Sequence, residues 1–304
     1  MICVLLSTYN GVQYVSTLLD SLIAQECSDI TILIRDDGST DGTLEILNTY
    51  AGNSDFLDVL SGSNIGVNRS FYELLEHADE LGAQYIAFCD QDDLWEADKI
   101  SRALTLIEEK YPERPAMYCS RLVISDEELN EISTSRPPLR GPSFRNALVE
   151  NIATGATMVI NRKAIELLKI NRPDFDRIVM YDWWIYQAIS AFGTVVFDDQ
   201  SHILSRQHAG NVVGLPFGKR YWRSKAQFIS TSDRYLIRTQ AREFSRIFGE
   251  QLTEEDRFTL DEFLTRIQDP NFFSRLWYAF SGRVFRQRAV DNLLLRVRIV
   301  LGRI

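Results

Sequence analysis

The chain has 304 residues, of which 45% are hydrophobic and 25% are charged, a composition typical of a globular protein with a substantial core. Its formal net charge of −9 argues against general nucleic-acid binding. No apolar stretch approaches the roughly 18–20 residues that a helix needs to cross a bilayer.

Residues 1–6 are mostly apolar and lack a basic leader and a cleavage site, so they predict a first strand rather than a signal peptide. The four cysteines are Cys3, Cys27, Cys89 and Cys119. They show no C-x-x-C or paired spacing, and three of them lie in apolar runs. We therefore expect reduced core cysteines in a cytoplasmic protein, with neither a zinc site nor a thiol nucleophile.

The first 110 residues alternate between strand and helix patterns. Runs rich in β-formers predict strands at 2–7, 30–35, 57–60 and 85–89. Each is followed by a segment with helical spacing, at 13–25, 43–50, 71–81 and 99–110. Four such units in succession predict an α/β fold with a mostly parallel, doubly wound sheet.

After residue 115 the pattern changes. Further strands are predicted at 117–124, 155–160 and 194–197, and an aromatic-rich helix at 181–191. Residues 133–143 contain three prolines and form a loop long enough to suggest a functional role. From residue 219 onward the pattern is helical. We therefore predict an α/β domain over residues 1–215 and a helical C-terminal region over residues 216–304.

The most informative segment is the acidic cluster after the fourth predicted strand. Asp90, Asp92 and Asp93 place three carboxylates within four positions. Like charges this close repel, and a divalent cation would offset the repulsion. All-oxygen ligands suit Mg²⁺ or Mn²⁺, and open α/β sheets bind their ligands at this edge. The simpler alternative is a solvated acidic turn before a helix that starts near Ala97.

Polar, glycine-containing segments also follow the other predicted strands, at residues 7–11, 36–42 and 64–69. A carboxylate there can accept from a ligand N–H such as the imide of uracil or thymine, whereas the alternative is a plain turn in which Asp caps a helix. No G-x-G-x-x-G motif and no Walker lysine loop occurs, so a nucleotide phosphate would need a metal to balance its charge. We expect four strand ends to converge on one crevice.

Two segments further along carry candidate functional residues. Asp182 opens the aromatic-rich helix, where it is either an N-cap or a general base beside the acidic crevice. Residues 205–214 form a predicted loop in which Arg206 and His208 are candidates for contacting phosphate or metal. A lone histidine is otherwise usually structural.

Together these segments resemble glycosyltransferase family 2. The resemblance rests on Thr8-Tyr9-Asn10, Asp36-Asp37-Gly38-Ser39-Thr40-Asp41-Gly42, Asn64-Ile65-Gly66, Asp90-Gln91-Asp92-Asp93-x-Trp95, Gly155-x-Thr157, Asp182-Trp183 and Arg206-Gln207-His208. The motifs cover roughly residues 1–215 in the family's order. Two of them, the acidic motif that starts at Asp90 and the Arg-Gln-His motif that starts at Arg206, are similar to those of bacterial rhamnosyltransferases of cell-surface polysaccharide synthesis. Tyr181 and Ser205 depart from that pattern, which commonly has His and Tyr there.

The resemblance implies an A-type glycosyltransferase fold, with residues 1–215 as the catalytic domain. It implies inverting, metal-dependent transfer of L-rhamnose from dTDP-L-rhamnose to a lipid-linked surface polysaccharide. Asp182 aligns with the catalytic base, and Asp92, Asp90 and His208 align with ligands of Mg²⁺ or Mn²⁺. The implied donor-binding residues are Thr8, Tyr9, Asn10, Asp37, Asn64, Asn68, Asp90, Gln91 and Arg206, with Asp37 reading the pyrimidine base. The expected acceptor-binding residues are Trp95, Tyr181 and Trp183.

The C-terminal region has its own charge pattern. Residues 275–304 contain seven arginines, no lysine and one acid, a net charge of +6 that leaves about −15 on the rest of the chain. Basic amphipathic segments with aromatic residues commonly lie on anionic membranes, which predicts a peripheral protein on the cytoplasmic face of the inner membrane. The alternatives are packing on the catalytic domain or on a sister subunit of a homo-oligomer.

Three other functions stay open at this point. One is a glycosyltransferase of the same family with a UDP-sugar donor. A nucleotidyltransferase that makes nucleotide sugars would share the α/β fold and Mg²⁺, but residues 7–11 lack the lysine that its glycine-rich loop needs. A non-catalytic glycan-binding subunit is disfavoured by the intact set of Asp90, Asp92 and Asp182.

Overall fold

The computed structural model describes residues 1–108, 113–208 and 236–304. The strands are β1 Ile2–Thr8, β2 Ile30–Asp36, β3 Leu57–Ser61, β4 Tyr85–Asp90, β5 Leu94–Trp95, β6 Ala116–Ser125, β7 Glu131–Thr134, β8 Val159–Asn161 and β9 Thr194–Arg206. The helices are α1 Val15–Ile23, α2 Thr43–Ala51, α3 Val67–Glu80, α4 Lys99–Glu108, α5 Phe144–Ala147, α6 Arg162–Ile170, α7 Tyr181–Phe192, α8 Leu236–Phe248, α9 Glu254–Arg266, α10 Phe272–Phe280 and α11 Ala289–Val300.

The strands of the described ranges form one mixed sheet in the order β3-β2-β1-β4-β8-β6-β9-β5, with β7 paired to β6. Strands β3, β2, β1 and β4 are parallel, as the alternation of strands and helices predicts. Strand β8 is antiparallel to both β4 and β6, and β6 and β9 are again parallel. The C-terminal ends of the first four strands therefore share one edge, and the loops that follow them meet there.

Both faces of the sheet are apolar, because alternate residues of a strand point to opposite sides. Cys3 and Leu5 of β1 pack into a core with residues of α3, α6 and α7. Val4 and Leu6 pack into the other core with α1, α2 and α4. Helices α8 to α11 add buried residues to the first core, so the C-terminal region covers the α3 and α7 side of the sheet.

Most predicted elements are present with shifted ends. Helix α3 begins at Val67, four residues before its predicted start, after Gly66 with φ of 83°, a conformation that favours glycine. Strand β9 continues to Arg206, well past the predicted end at residue 197, because its polar second half pairs with β6 and β5. Residues 205 and 206 therefore end a strand, whereas the sequence predicted a loop.

Two further predictions are corrected. Residues 155–160 are not one strand, since Gly155–Thr157 forms a turn of 3₁₀ helix and β8 begins at Val159. The predicted loop at 133–143 starts later, because β7 pairs with β6 through Thr134. The predicted domain boundary near residue 215 lies outside the described residues, so the division into two domains stays a prediction.

All four cysteines are free, and Cys3, Cys89 and Cys119 are buried core residues as predicted. Among the described helices, none has the length and apolar character needed to cross a membrane.

Candidate active site

The loops after β1 and β4 are held together by one amide side chain. Gln91 accepts the backbone N–H of Tyr9 at Oε1 (2.9 Å) and donates from Nε2 to the Tyr9 carbonyl (3.1 Å). A Cβ at Gly11 would lie 2.4 Å from Gln91 Oε1, so a larger residue there would displace the Gln91 amide from these contacts. The Tyr9 side chain stays half-exposed at this edge. Donor contacts by Tyr9 and Gln91 stay predictions.

A second set of contacts joins the loops after β1 and β2. Asn10 donates its backbone N–H to Ser39 Oγ and accepts the backbone N–H of Thr40 at Oδ1, both at 2.9 Å. Asn10 adopts φ of 51°, which Asn tolerates better than most residues. Thr8 is fully buried and donates from Oγ1 to Asp36 (3.0 Å). The Thr8 side chain therefore lies beneath the crevice, and its contact with the donor stays a prediction.

The carboxylate of Asp37 holds the loop after β3. It is ion-paired with the Arg35 guanidinium and accepts the backbone N–H groups of Ile65 (2.8 Å) and Gly66 (2.9 Å). These charge-assisted contacts fix the turn that leads into α3. Asp37 is almost fully buried, whereas Asn64 is exposed. The predicted contacts of both residues with the donor stay predictions.

The acidic cluster lies where β4 ends. Burial raises the pKa of Asp90, and repulsion by Asp92 and Asp182 raises it further. Burial, with repulsion by Asp90 and Asp92, also raises the pKa of Asp93 well above its ordinary value. The effect of Asp182 on Asp90 shows that α7 brings a fourth carboxylate to the same crevice. Such mutual repulsion makes a site that a divalent cation would stabilise.

A buried cation behind this cluster was missed by the sequence analysis. Lys99 is 1% exposed, and its Nζ lies 3.2 Å from the centroid of the Trp95 ring. Burial lowers the pKa of Lys99 to about 7. Trp95 is 3% exposed and forms the wall behind the cluster, and its contact with an acceptor stays a prediction. The available signal was the position of Lys99 on the same helix face as Ala103 and Ile107.

Asp92 and His208 are the candidate metal ligands that the structure brings into direct contact. His208 Nε2 lies 2.7 Å from Asp92 Oδ2, and the His208 ring stacks on Tyr14 at 4.6 Å between centroids. Arg206 donates from Nε to the Asp92 carbonyl (3.0 Å) and also binds the Glu127 carbonyl. Arg206 therefore fixes the backbone of the acidic loop, and its predicted donor contact stays a prediction.

A carboxylate and an imidazole are suitable ligands for a divalent ion, and substrate phosphates commonly complete such a site. The donor set therefore fits Mg²⁺ or Mn²⁺ shared with a diphosphate. Asp90 stays a predicted ligand. Within the described ranges, one group of three residues has potential metal-ligand atoms within 4.8 Å of one another: Glu96, Asp98 and His202. That set connects the segment after β5 to β9 and has two exposed acids.

The candidate base lies in the first turn of α7. The N-cap residue of this helix is Met180, so Asp182 is not the cap of the simpler alternative. Asp182 Oδ2 accepts the backbone N–H of Gly155 (3.1 Å), and Oδ1 accepts that of Trp183 (2.6 Å). Burial nevertheless raises the pKa of Asp182 to about 6. The carboxylate is therefore largely ionised at neutral pH and more basic than an ordinary aspartate.

Tyr181 and Gly155 position this aspartate. Tyr181 is 2% exposed, stacks on Phe71 (4.1 Å between centroids) and donates its backbone N–H to Asn68 Oδ1 (2.8 Å). A Cβ at Gly155 would lie 2.1 Å from Tyr181 Oη, so this position requires glycine. Tyr181 thus lies beneath the crevice, and its contact with an acceptor stays a prediction. Asn68 fixes the start of α7, and its donor contact stays a prediction.

Trp183 lies beside the base and is partly exposed. Its Nε1 donates to the Ala147 carbonyl (2.7 Å), which ties α7 to the short helix α5. The ring is therefore held in one orientation at the wall of the crevice, and its contact with an acceptor stays a prediction.

The fold and its crevice define the class of protein. The chain superposes on Staphylococcus aureus TarS (residues 1–349) in complex with UDP-GlcNAc, with a TM-score of 0.57 over 98% of this chain and 90% of that one, at 17% identity. A mannosyltransferase from Pyrobaculum calidifontis, in complex with GDP-Man and Mn²⁺, gives a TM-score of 0.50 over 99% and 85% of the two chains at 13% identity. The expected A-type glycosyltransferase fold is confirmed.

The sequence model of Glycosyl transferase family 2 matches residues 3–168, and the chain belongs to that family. It is 30% identical over 310 residues to a dTDP-rhamnosyl transferase, RfbG, of Shigella flexneri, which covers 98% of this chain and 99% of the relative. The protein is therefore a glycosyltransferase, as the motifs at the ends of β1, β2 and β4 predict.

Proposed function

We propose that this glycosyltransferase transfers L-rhamnose from dTDP-L-rhamnose to a hydroxyl group of a lipid-linked surface polysaccharide, with inversion of the anomeric centre and with a divalent metal ion. The observation that supports this donor most directly is the similarity to a dTDP-rhamnosyl transferase over 98% of the chain. A lipid-linked acceptor lies in a membrane, so the proposal also includes peripheral association with the cytoplasmic membrane face.

Asp182 is the proposed general base. Its oxygens are oriented by the N–H groups of Gly155 and Trp183, and its raised pKa suits it to accept a proton near neutral pH. It takes the proton of the acceptor hydroxyl while that oxygen attacks the anomeric carbon from the face opposite the diphosphate. One displacement inverts the anomeric centre and requires no covalent intermediate.

Asp92 and His208 are proposed to hold the metal together with Asp90. Bound Mg²⁺ or Mn²⁺ would neutralise charge that develops on the departing diphosphate. Arg206 contributes by fixing the Asp92 backbone. Lys99 contributes a buried positive charge near Asp90 and Asp93 and limits the repulsion inside the cluster.

The donor is proposed to bind in the crevice between the loops that follow β1 to β4. Tyr9 and Asn64 are exposed along this edge and are the proposed contacts with the nucleotide. Asn10, Gln91 and Asp37 tie these loops to one another. The crevice is therefore formed before the donor binds, which reduces the entropy lost on binding.

A thermal-shift panel of dTDP-, UDP- and GDP-sugars with Mn²⁺ tests the donor. A ligand that prefers the native state raises the melting temperature, with about 2.7 kcal/mol of stabilisation at roughly 100 times its Kd. We expect dTDP-L-rhamnose to stabilise the protein most and EDTA to remove most of that effect. A larger shift with a UDP-sugar would assign that donor instead, and a larger shift with a GDP-sugar would contradict the pyrimidine preference.

Matched variants sharpen this test. We expect Asp92→Asn to abolish the metal-dependent part of the shift and to leave the fold intact, because it removes a charge from a crowded cluster. Asp55→Asn is the control, since Asp55 is an exposed acid just before β3, at the opposite end of that strand from the crevice. A turnover assay with dTDP-L-rhamnose and a lipid-linked acceptor then follows release of dTDP. In a separate assay, formation of dTDP-L-rhamnose and pyrophosphate from dTTP and L-rhamnose 1-phosphate would indicate a nucleotidyltransferase, whereas donor binding without turnover in either assay would indicate a non-catalytic subunit.

A further inference from the structure

Helices α10 and α11 each expose a stripe of apolar side chains. On α10, Phe273, Trp277 and Phe280 are spaced i, i+4, i+7 and are 74%, 57% and 58% exposed. On α11, the exposed stripe is Val290, Leu293, Val297 and Leu301. Contiguous apolar surface of this kind marks a site of interaction.

The two stripes belong to one surface. Helix α10 packs against α11, and Arg296 of α11 places its guanidinium 5.1 Å from the centroid of the Phe280 ring. The aromatic residues of α10 line a pocket of about 540 Å³ together with Arg145 and Arg283. We call the two stripes, with Arg283 and Arg296, the α10–α11 face.

The segment that carries this face is strongly basic. Residues 272–304 contain seven arginines and one acid, Asp291, which is buried. Three arginines donate to backbone carbonyls and stabilise the fold: Arg275 to Val300, Arg286 to Val149 and Arg298 to Arg303. The other four are partly exposed: Arg283, Arg288, Arg296 and Arg303. Arg283 also pairs with Glu262 (3.3 Å). Arg298 is buried, so fewer than the seven guanidinium groups counted in the sequence lie at the surface.

A short helix connects the α10–α11 face to the crevice. Arg145 of α5 lines the pocket and donates to the carbonyls of Gly282 and Arg283, both at 2.6 Å. Two residues later, the carbonyl of Ala147 accepts Trp183 Nε1. Because Trp183 follows the candidate base directly, α5 joins the face to the wall of the crevice.

We propose that the α10–α11 face docks on a bilayer surface that contains anionic lipids. The aromatic and aliphatic side chains enter the interfacial region, while the guanidinium groups stay at the level of the lipid phosphates. A second copy of the chain fits less well, because a two-fold contact would oppose like charges, with the one acid of this segment buried. The inference deepens the proposed function, since it names the surface that brings the enzyme to a lipid-linked acceptor.

Vesicle co-sedimentation tests the proposal with the full chain. Wild-type protein should bind vesicles of phosphatidylcholine with phosphatidylglycerol more tightly than vesicles of phosphatidylcholine alone. The variant Phe273→Ser, Trp277→Ser, Phe280→Ser should lose about tenfold or more in partitioning, because it removes the side chains that enter the interface. Arg296→Gln should lose about fivefold on the anionic vesicles only.

The control variant changes three exposed apolar residues outside the face: Ile23→Ser, Leu81→Ser and Ile170→Ser. It should bind anionic vesicles like the wild type. Absence of wild-type binding, equal binding to both vesicle types, or equal losses in the two triple variants would overturn the proposal. A dimer that the α10 variant converts to a monomer, without vesicle binding, would assign the face to a second copy.

Transfer of rhamnose to a water-soluble acceptor separates this inference from the proposed function. The α10 variant should keep that activity, because its substitutions lie outside the crevice. If the protein transfers rhamnose to the water-soluble acceptor but does not bind vesicles, the docking inference alone is contradicted. If the protein binds vesicles through the face but does not use dTDP-L-rhamnose, the proposed donor is contradicted and the docking inference stands.

Discussion

Charged side chains are buried in the crevice, whereas on the α10–α11 face they lie at the surface. In the crevice, Asp90, Asp93 and Asp182 are carboxylates whose pKa values are raised by burial. On the face, guanidinium groups lie beside exposed apolar side chains such as Phe273 and Trp277. Burial makes the carboxylates of the crevice more basic, and exposure makes the guanidinium groups of the face available to a partner.

The two regions also differ in how they are supported. Gln91 and Asn10 bind backbone groups of neighbouring loops, so a change in one loop of the crevice is transmitted to the others. On the face, exposed side chains project from helices whose buried sides hold the fold, such as Tyr278 and Leu295. We therefore expect the crevice to be sensitive to single substitutions and the face to tolerate them structurally.

The largest expected effect is the loss of transfer activity on substitution of Asp182. Asp182→Asn should keep the fold and the donor affinity but lower transfer by at least ~10²-fold, because the variant cannot accept the acceptor proton. Asp256→Asn is a matched control, since Asp256 also lies in the first turn of a helix and has a pKa raised by burial. Steady-state transfer assays measure both. Near-normal transfer by folded Asp182→Asn protein would end the assignment of this residue as the base.

The next effect concerns metal and pH. Burial raises the pKa of Asp90 and Asp93, so these carboxyls favour the folded state when protonated, and the stability they contribute is lost as pH rises through their folded pKa values. A metal must displace such protons, so the apparent Mn²⁺ affinity should rise with pH, by up to about tenfold per pH unit for one proton. Thermal shifts at fixed Mn²⁺ over a pH series measure this, and a pH-independent shift would contradict it.

A similar effect is expected in the rate of transfer. Because burial raises the pKa of Asp182 to about 6, the ionised base is lost as pH falls through that value. At saturating donor and acceptor, kcat should fall about tenfold between roughly pH 7 and pH 5. The residual activity of Asp182→Asn should not show this fall in kcat between roughly pH 7 and pH 5. The same profile in both proteins would assign the titration to another group.

The smallest effect is expected on the face. Each of Phe273→Ser, Trp277→Ser and Phe280→Ser should change the free energy of unfolding by no more than about 0.5 kcal/mol, as is usual for exposed sites. Gly155→Ala should lower it by about 1–3 kcal/mol, because a Cβ there meets Tyr181 Oη. Urea unfolding compares the two. A large loss from the α10 substitutions would show that these side chains support the fold.

Much of the catalytic half follows from local sequence. The runs that form β1, β2 and β4 predict parallel strands, and parallel strands place their C-terminal ends at one edge. The acidic segment after β4 and Asp182 could therefore be assigned to one crevice from the order of the motifs along the chain. The repulsion between Asp90 and Asp182 agrees with this prediction.

Burial could not be assigned in the same way. Three residues inside the motifs at the edge of the sheet are almost fully buried, which the motifs did not indicate: Thr8, Trp95 and Tyr181. Lys99 reads as the surface lysine of an amphipathic helix and is buried against Trp95. Side-chain exposure depends on which elements pack together, and local periodicity does not contain that information.

The sequence by itself determined the order of strands and helices in the catalytic half, the chemical types at the edge of the sheet and the positive charge of the C-terminal segment, because these depend on residues close together in the chain. Tertiary structure alone decided that Arg206 reaches the backbone of Asp92, that Asn68 positions α7, and that Arg275 and Arg298 turn inward to backbone carbonyls. Apart from the inward turn of Arg298, these contacts join residues distant in the chain, so packing of the whole molecule fixes them.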